Sequence, residues 1–158
     1  GKLQQAAELF EVASRLRPLD YQSLVLLSRV QEGLGNEELS LDAARRAVAI
    51  AEKVLELKPD ETLALYLSAT PLLRIGRGDE AQKWVERALF IEPDDPAVLY
   101  NVACFYAQTG QVERALDCLE KANLPGMANR SWIENDADLD PLRGEPRFRS
   151  ILASIPEQ

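Results

Sequence analysis

The stretch VACFYAQTG, Val102–Gly110, and the stretch SATPLLRIG, Ser68–Gly76, lie 34 residues apart and both end on glycine. The same spacing relates six pairs of identical residues: Pro59 and Pro93, Leu65 and Leu99, Ala69 and Ala103, Gly76 and Gly110, Ala81 and Ala115, and Ala88 and Ala122. A fixed period of this length indicates a tandem structural repeat.

Within a repeat, the apolar residues follow helical spacing. Leu65, Ala69 and Leu72 precede Gly76, and Ala81, Val85 and Ala88 follow it. Steps of three and four residues predict amphipathic helices, and the glycine between them predicts a turn. Asp95-Pro96 predicts a helix start, because aspartate is favoured at the N-cap and proline at the first helical residue. Asp60 predicts another start near Glu61.

The period lengthens once along the chain. Gly1 and Gly35 are 34 residues apart, whereas Gly35 and Gly76 are 41 apart, so seven additional residues lie between Gly35 and Pro59. Seven residues make about two helical turns and leave the buried face of a helix in place. We therefore expect one longer helix in this repeat.

These residues resemble the tetratricopeptide repeat (TPR), a helix–turn–helix unit of 34 residues. The best copy supplies Leu99, Ala103, Tyr106, Gly110, Ala115 and Ala122 at the family's patterned positions. The copy Tyr21–Glu61 departs most, with Ser28 at a small position and Gln31 at the aromatic one. The resemblance implies an all-α fold, an antiparallel helix-pair solenoid (TPR superhelix) with a C-terminal capping helix. The implied units are a half repeat 1–20, a lengthened repeat 21–61, repeats 62–95 and 96–128, and a cap 129–158.

In this family the first helix of each pair lines a concave groove. Mapped onto this sequence, the partner-binding positions are Val25, Arg29, Leu63, Tyr66, Leu67, Thr70, Arg74, Tyr100, Asn101, Cys104 and Gln108, within a wider surface that includes Gln22, Leu26 and Glu32. The resemblance implies a non-catalytic protein–protein interaction scaffold that binds a protein or peptide segment in this groove.

Composition argues against several other classes. The 158 residues carry 18 basic and 26 acidic side chains, a net charge of -8, so we expect no binding to nucleic acid or membranes. No histidine is present, and Cys104 and Cys118 lack metal-ligand spacing, so we expect no enzyme activity, cofactor or metal site. Because the chain starts at Gly1 without methionine, we expect a fragment of a larger protein. We expect a cytoplasmic location.

Two short motifs suggest other functions but are better explained as turns. The run ENDADLD, Glu134–Asp140, has Asp136, Asp138 and Asp140 at the first three ligand positions of a calcium loop. Pro141 stands where that loop needs glycine and Arg147 where it needs glutamate, so we expect a solvated loop. The adhesion tripeptide RGD, Arg77–Asp79, is expected to be a turn followed by a capping aspartate.

Pro71 lies inside the first helix of a repeat. It lacks the N–H that would bond to the carbonyl of Leu67. We therefore expect the helix to bend there and to turn this carbonyl toward the groove; the alternative is a kink absorbed by packing.

The repeat pattern stops after Pro125-Gly126. Caps and spacing then predict a short helix near Trp132, an acidic turn and a last helix from about Pro146. The side chains expected to cover the last repeat are Trp132, Leu139, Leu142, Phe148, Ile151 and Leu152. This tail resembles the segment that closes repeat arrays in bacterial multidomain regulators, which implies a regulatory arm of a signalling protein.

The N-terminal half repeat lacks a partner helix in the sequence. Leu3, Ala6, Phe10 and Ala13 predict an apolar face that self-association, upstream repeats or a tag must cover. The alternative function is therefore a dimerisation or regulatory arm, with a homo-oligomer formed through this helix.

Overall fold

The computed structural model describes residues 1–122 and 130–156. Within these ranges the regular structure is helical and contains no strand, which confirms the predicted all-α fold. The helices are α1 (Lys2–Leu16), α2 (Tyr21–Gly33), α3 (Glu37–Leu57), α4 (Thr62–Leu67), α5 (Ala69–Arg74), α6 (Gly78–Ile91), α7 (Pro96–Gln108), α8 (Val112–Lys121), α9 (Arg130–Glu134) and α10 (Pro146–Ala153), with a 3₁₀ helix (Ala137–Leu142) between α9 and α10.

The chain divides into two compact units, which we call the N-terminal unit (Gly1–Arg87) and the C-terminal unit (Ala88–Gln158). In the N-terminal unit α2 packs against both α1 and α3, and in the C-terminal unit α7 packs against α8. Short connections make such consecutive helices antiparallel neighbours. None of the helices described is both long enough and apolar enough to cross a membrane. The division into individual repeats stays a prediction, and its boundary at residues 128 and 129 lies outside the described residues.

Three glycines end a helix with the same backbone turn. Gly35, Gly76 and Gly110 follow α2, α5 and α7 with φ of +75°, +82° and +73°. At Gly76 the glycine N–H donates to the Leu73 carbonyl at 3.0 Å, and the Arg77 N–H donates to the Leu72 carbonyl at 2.9 Å. This Schellman arrangement satisfies carbonyls at the helix end, and it requires a backbone conformation that glycine adopts at little cost.

The additional seven residues of the second repeat lengthen one helix, as predicted. Helix α3 has 21 residues and helix α6 has 14, a difference of seven. Ala43, Ala47 and Ala51 are fully or almost fully buried along α3 at steps of four residues. The buried face of the longer helix therefore continues without a break.

Helix starts agree with the sequence at α7 and differ at α4. The Asp95 carboxylate accepts the N–H groups of Ala97 and Val98, both at 2.9 Å, ahead of Pro96 at the first helical position. At α4 the N-cap is Glu61, without a side-chain hydrogen bond, so the prediction for Asp60 is wrong. The reason is that Asp60 lies inside a turn closed by the Glu61 N–H and the Lys58 carbonyl.

The predicted turn at Arg77–Asp79 also differs in detail. Helix α6 begins at Gly78, so Asp79 lies in its first turn rather than at the cap. A carboxylate in the first turn still interacts favourably with the positive end of the helix dipole.

Pro71 interrupts the first helix of its repeat. Helix α4 ends at Leu67, α5 begins at Ala69, and Ser68 lies between them with φ -90° and ψ 0°. Hydrogen bonding resumes when the Leu72 N–H donates to the Ser68 carbonyl at 3.0 Å. The helix is therefore interrupted before Pro71, whereas its bend and the orientation of the Leu67 carbonyl toward the groove stay predictions.

The C-terminal tail folds onto the C-terminal unit. As predicted, Trp132 lies in the short helix α9, and helix α10 begins at Pro146. The side chains of Ile133, Leu139, Leu142, Phe148, Ile151 and Ile155 are buried, while Leu152 is half-buried and Trp132 is half-exposed. Pro125-Gly126, where the repeat pattern stops, lies outside the described residues. The resemblance of this tail to that of bacterial regulators stays a prediction.

We predict that Gly110→Ala lowers the free energy of unfolding by ~1–2 kcal/mol, because alanine disfavours positive φ. Gly144→Ala is the matched control. A Cβ added at either glycine meets no atom within 4 Å, but only Gly110 has positive φ. Urea unfolding followed by circular dichroism should show no loss beyond about 0.5 kcal/mol for the control. Equal losses for the two variants would contradict the role of the left-handed turn.

Candidate partner-binding surfaces

Three exposed side chains follow one face of α2 in the N-terminal unit: Gln22, Leu26 and Arg29. Steps of four and three residues place them on the same side of the helix. Leu26 has 40% of its surface exposed. The helix start is held by Asp20, whose carboxylate accepts the backbone N–H of Ser23 at 3.0 Å and its hydroxyl at 2.7 Å.

Val25 does not belong to this exposed face. It is only 2% exposed and lies in a buried cluster with Leu24 and Leu27. Its predicted position on an accessible groove is therefore wrong, because the side chain lies in the core that α2 forms with α1 and α3.

The predicted groove positions on α4 and α5 are half-buried. They are Leu63, Tyr66, Leu67, Thr70 and Arg74. Leu63 and Leu67 pack against the buried Tyr21 and Ala64, and therefore contribute to the core as well as to the surface.

Arg74 is held by an ion pair within the N-terminal unit. Its guanidinium contacts the carboxylate of Glu32, at the end of α2, and lies 4.0 Å from that of Glu37. The Arg74 side chain is mostly buried in this arrangement. The pair links α5 to the end of α2, so Arg74 positions the helices that carry the predicted groove.

Burial also affects two titratable side chains that could be considered for chemistry. It raises the pKa of Tyr21 to about 12, with a smaller contribution from the charge of Glu61. It likewise raises the pKa of the Cys118 thiol to about 11. Both groups are therefore neutral at physiological pH, and neither is prepared as a nucleophile or base.

In the C-terminal unit, the tail contacts three predicted groove positions of α7, namely Tyr100, Cys104 and Gln108. The ring of Tyr100 stacks on Trp132 with 4.9 Å between ring centroids and 28° between planes. The Tyr100 hydroxyl donates to the Asp136 carboxylate at 2.7 Å, and Gln108 donates its amide N–H to Asp138 at 2.6 Å. Tyr100 is only 4% exposed as a result.

Cys104 lies under the same part of the tail. Its sulfur and carboxylate oxygens of Asp136 and Asp138 all lie within 4.8 Å of one another, and the residue is 4% exposed. The expectation that Tyr100 and Cys104 line an open groove is therefore wrong, because the chain's own tail lies over them. Asn101 remains half-exposed and donates to the Ala97 carbonyl of its own helix at 2.8 Å.

The acidic run Glu134–Asp140 has a structural role that its sequence pattern did not predict. Asp136 is buried and caps the 3₁₀ helix, because its carboxylate accepts the Asp138 N–H at 3.0 Å. The expected solvated loop is therefore wrong at Asp136. The Cys104 sulfur and the carboxylates of Asp136 and Asp138 could hold a metal ion, but both carboxylates already accept hydrogen bonds that fix the tail. A signal was present, since aspartate before a short helix is a typical N-cap.

The apolar face of α1 also differs from the expectation. Phe10 packs against the core of the N-terminal unit, and Ala6 and Ala13 are half-buried. The exposed apolar residues of this helix include Leu3, Leu9, Val12 and Leu16, and the last three form one stripe at steps of three and four residues. Beside this stripe an open groove of about 480 Å³ is lined by α1, α2 and α3, with Ala7, Val12, Leu27 and Leu39 as apolar contacts.

We predict that Tyr100→Phe lowers the free energy of unfolding of the C-terminal unit by ~1–3 kcal/mol, because the buried carboxylate of Asp136 loses a hydrogen-bond donor. Tyr66→Phe, at a half-buried tyrosine, is the control and should cost less than about 0.5 kcal/mol. Urea unfolding measures both. A Tyr100→Phe variant as stable as the control would show that the bond to Asp136 does not stabilise the tail.

The chain is similar to two curated proteins along nearly its whole length. It is 29% identical to interferon-induced protein with tetratricopeptide repeats 3 of Mus musculus over 98% of the chain, and 28% identical to the STIP1 homolog of Dictyostelium discoideum over 95%. The chain spans only 36% and 25% of the length of these two relatives. Among solved structures, MamA 41-end from Desulfovibrio magneticus RS-1 is 24% identical, with a TM-score of 0.42 over 77% of this chain and 65% of that one.

The family comparison covers more than half of the sequence. Residues 37–134 match the family model described as the Psidin N-terminal TPR repeats region. This range includes the glycine-ended helices α5 and α7 and the second helices α3, α6 and α8. The chain therefore belongs to the tetratricopeptide repeat family.

Proposed function

We propose that this chain is a non-catalytic protein–protein interaction scaffold whose N-terminal unit binds a peptide or partner segment. The proposed surface consists of Gln22, Leu26 and Arg29 on α2 and Tyr66 and Thr70 on α4 and α5. Repeat arrays of this kind use extended concave surfaces for binding. Membership in the family and the accessibility of these side chains support the proposal.

The observation that carries the proposal is the exposure of an apolar and a cationic side chain on one helix face. Leu26 and Arg29 are exposed on α2, and Tyr66 is half-buried on α4, which packs against α2. Tyrosine and arginine are enriched among the residues that dominate binding energies, and an exposed leucine adds apolar contact area. The predicted positions Tyr100 and Cys104, by contrast, are covered by the chain's own tail.

A non-catalytic role agrees with the chemistry of the side chains present. The chain has no histidine, and both cysteines are buried. The raised pKa values of Tyr21 and Cys118 make deprotonation of these groups near pH 7 still less favourable. The net charge of -8 favours protein partners over nucleic acid. The cytoplasmic location and bacterial source remain predictions.

We predict that Leu26→Arg abolishes or strongly weakens partner capture, because it places a charge in the centre of the proposed apolar contact. Leu57→Arg is the matched control, since Leu57 is 85% exposed at the end of α3 and outside the proposed surface. The tagged native chain and both variants are used to capture proteins from a lysate of the source organism. The captured partner is then titrated against each of the three proteins.

A loss of affinity of at least about tenfold in Leu26→Arg alone corresponds to ~1.4 kcal/mol and would support the surface. Equal capture by all three proteins, or an equal loss in both variants, would contradict it. Circular dichroism checks that both variants keep their helices.

A second candidate function is dimerisation through α1, and the exposed stripe of Leu9, Val12 and Leu16 favours it. A stripe of this kind is a typical interaction surface.

We predict that light scattering detects a dimer at a concentration of several hundred micromolar, and that Leu9→Glu/Leu16→Glu removes it. A native chain that stays monomeric at this concentration would contradict the dimer.

A further inference from the structure

The contacts between the tail and α7 resemble those of a bound peptide. Helix α7 presents Tyr100, Cys104 and Gln108 at steps of four residues, which places them along about 12 Å of one helix face. The tail meets this face with Trp132, Asp136 and Asp138. Aromatic stacking, a hydroxyl-to-carboxylate hydrogen bond and an amide-to-carboxylate hydrogen bond connect the two elements.

These contacts differ from those of the apolar tail residues. The side chains of Ile133, Leu139 and Leu142 are fully buried, and they hold the tail in place by hydrophobic burial alone. Trp132 is half-exposed, so its ring lies on the surface over Tyr100 rather than inside the core. The polar and aromatic contacts are directional, and such contacts provide specificity more than bulk stabilisation.

We propose that segment Arg130–Leu142 is an intramolecular ligand and that the α7 face beneath it is a second binding surface, closed by this tail. The ligand that fits is a protein segment with an aromatic residue followed by carboxylates four and six positions later. The aromatic ring stacks on Tyr100, the first carboxylate accepts the Tyr100 hydroxyl and the second accepts the Gln108 amide. All these residues belong to the C-terminal unit, so the proposal is independent of the surface on α2 and α4.

Tethering determines the competition between the tail and an external segment. A segment attached to the same chain acts at an effective concentration on the order of millimolar. An external segment with the same contacts must reach a similar concentration to displace it. Loss of the Trp132 and Asp136 contacts lowers this barrier, and the surface then becomes available at lower ligand concentration.

The test uses the full chain and a fluorescent synthetic peptide with the sequence of residues 130–142. The native chain and the variant Trp132→Ala/Asp136→Ala are titrated by fluorescence anisotropy. We expect at least tenfold tighter peptide binding by the variant than by the native chain. A peptide in which the tryptophan is alanine and both aspartates are asparagine is the control, and it should bind the variant at least tenfold more weakly.

Cys104 provides a second and independent measurement. In a Cys118→Ser background, the Cys104 thiol should react slowly with Ellman's reagent when the tail is native. It should react at least tenfold faster when the tail carries Trp132→Ala/Asp136→Ala. Added peptide should restore the slow rate, because the peptide covers the same face. Trp132→Ala alone serves if the double variant loses helical circular dichroism, since the half-exposed Trp132 contributes less to the buried core than Asp136 does.

Two results would overturn the proposal. One is a helical tail variant that binds the peptide no better than the native chain does. The other is peptide binding that leaves the Cys104 rate unchanged, because the peptide would then bind elsewhere.

Discussion

The left-handed turn at Gly35, Gly76 and Gly110 is the constraint on which the helix pairing depends. Each turn ends a first helix and reverses the chain within about three residues, so that the next helix starts beside the previous one. A residue with a Cβ pays a steric cost in this conformation. Because the turn fixes where the first helix stops, it also fixes which residues of the second helix face it. The alanines at those positions can then be buried at close approach, as Ala43 and Ala47 are.

Surface charge is balanced locally in the C-terminal unit. Helix α8 carries Glu113, Asp117 and Glu120 on one face, where like charges repel one another. Arg147 of α10 donates to all three, at distances of 2.7–3.0 Å, and its hydrogen bond lowers the pKa of Glu120. A lowered carboxyl pKa contributes stability at neutral pH that is lost as the pH falls through that pKa. The groups are exposed, so salt screens the contribution.

The two units show different uses of equivalent helix faces. Leu26 and Arg29 of α2 remain exposed, whereas Tyr100 of α7 is covered by Trp132 and Asp136. A covered face gains burial and hydrogen bonds within the chain but is not accessible to a partner. An exposed face keeps its apolar surface in water, which favours binding when a complementary segment arrives. Family membership does not distinguish these cases, because each of the two helices is the first helix of a predicted repeat.

The sequence by itself determined the helix–turn–helix repeat, the glycines that end the helices, the Asp95-Pro96 start and the two-turn extension of α3. These features depend on residues close together in the chain, and short-range steric and hydrogen-bonding rules decide them. The exposure of Val25, Tyr100 and Cys104 was decided only by the tertiary structure. It depends on which distant element covers each side chain, and Tyr100 meets Asp136 from 36 residues away. Helical periodicity shows which residues share a face, but only packing between separate segments decides whether that face meets solvent or another part of the chain.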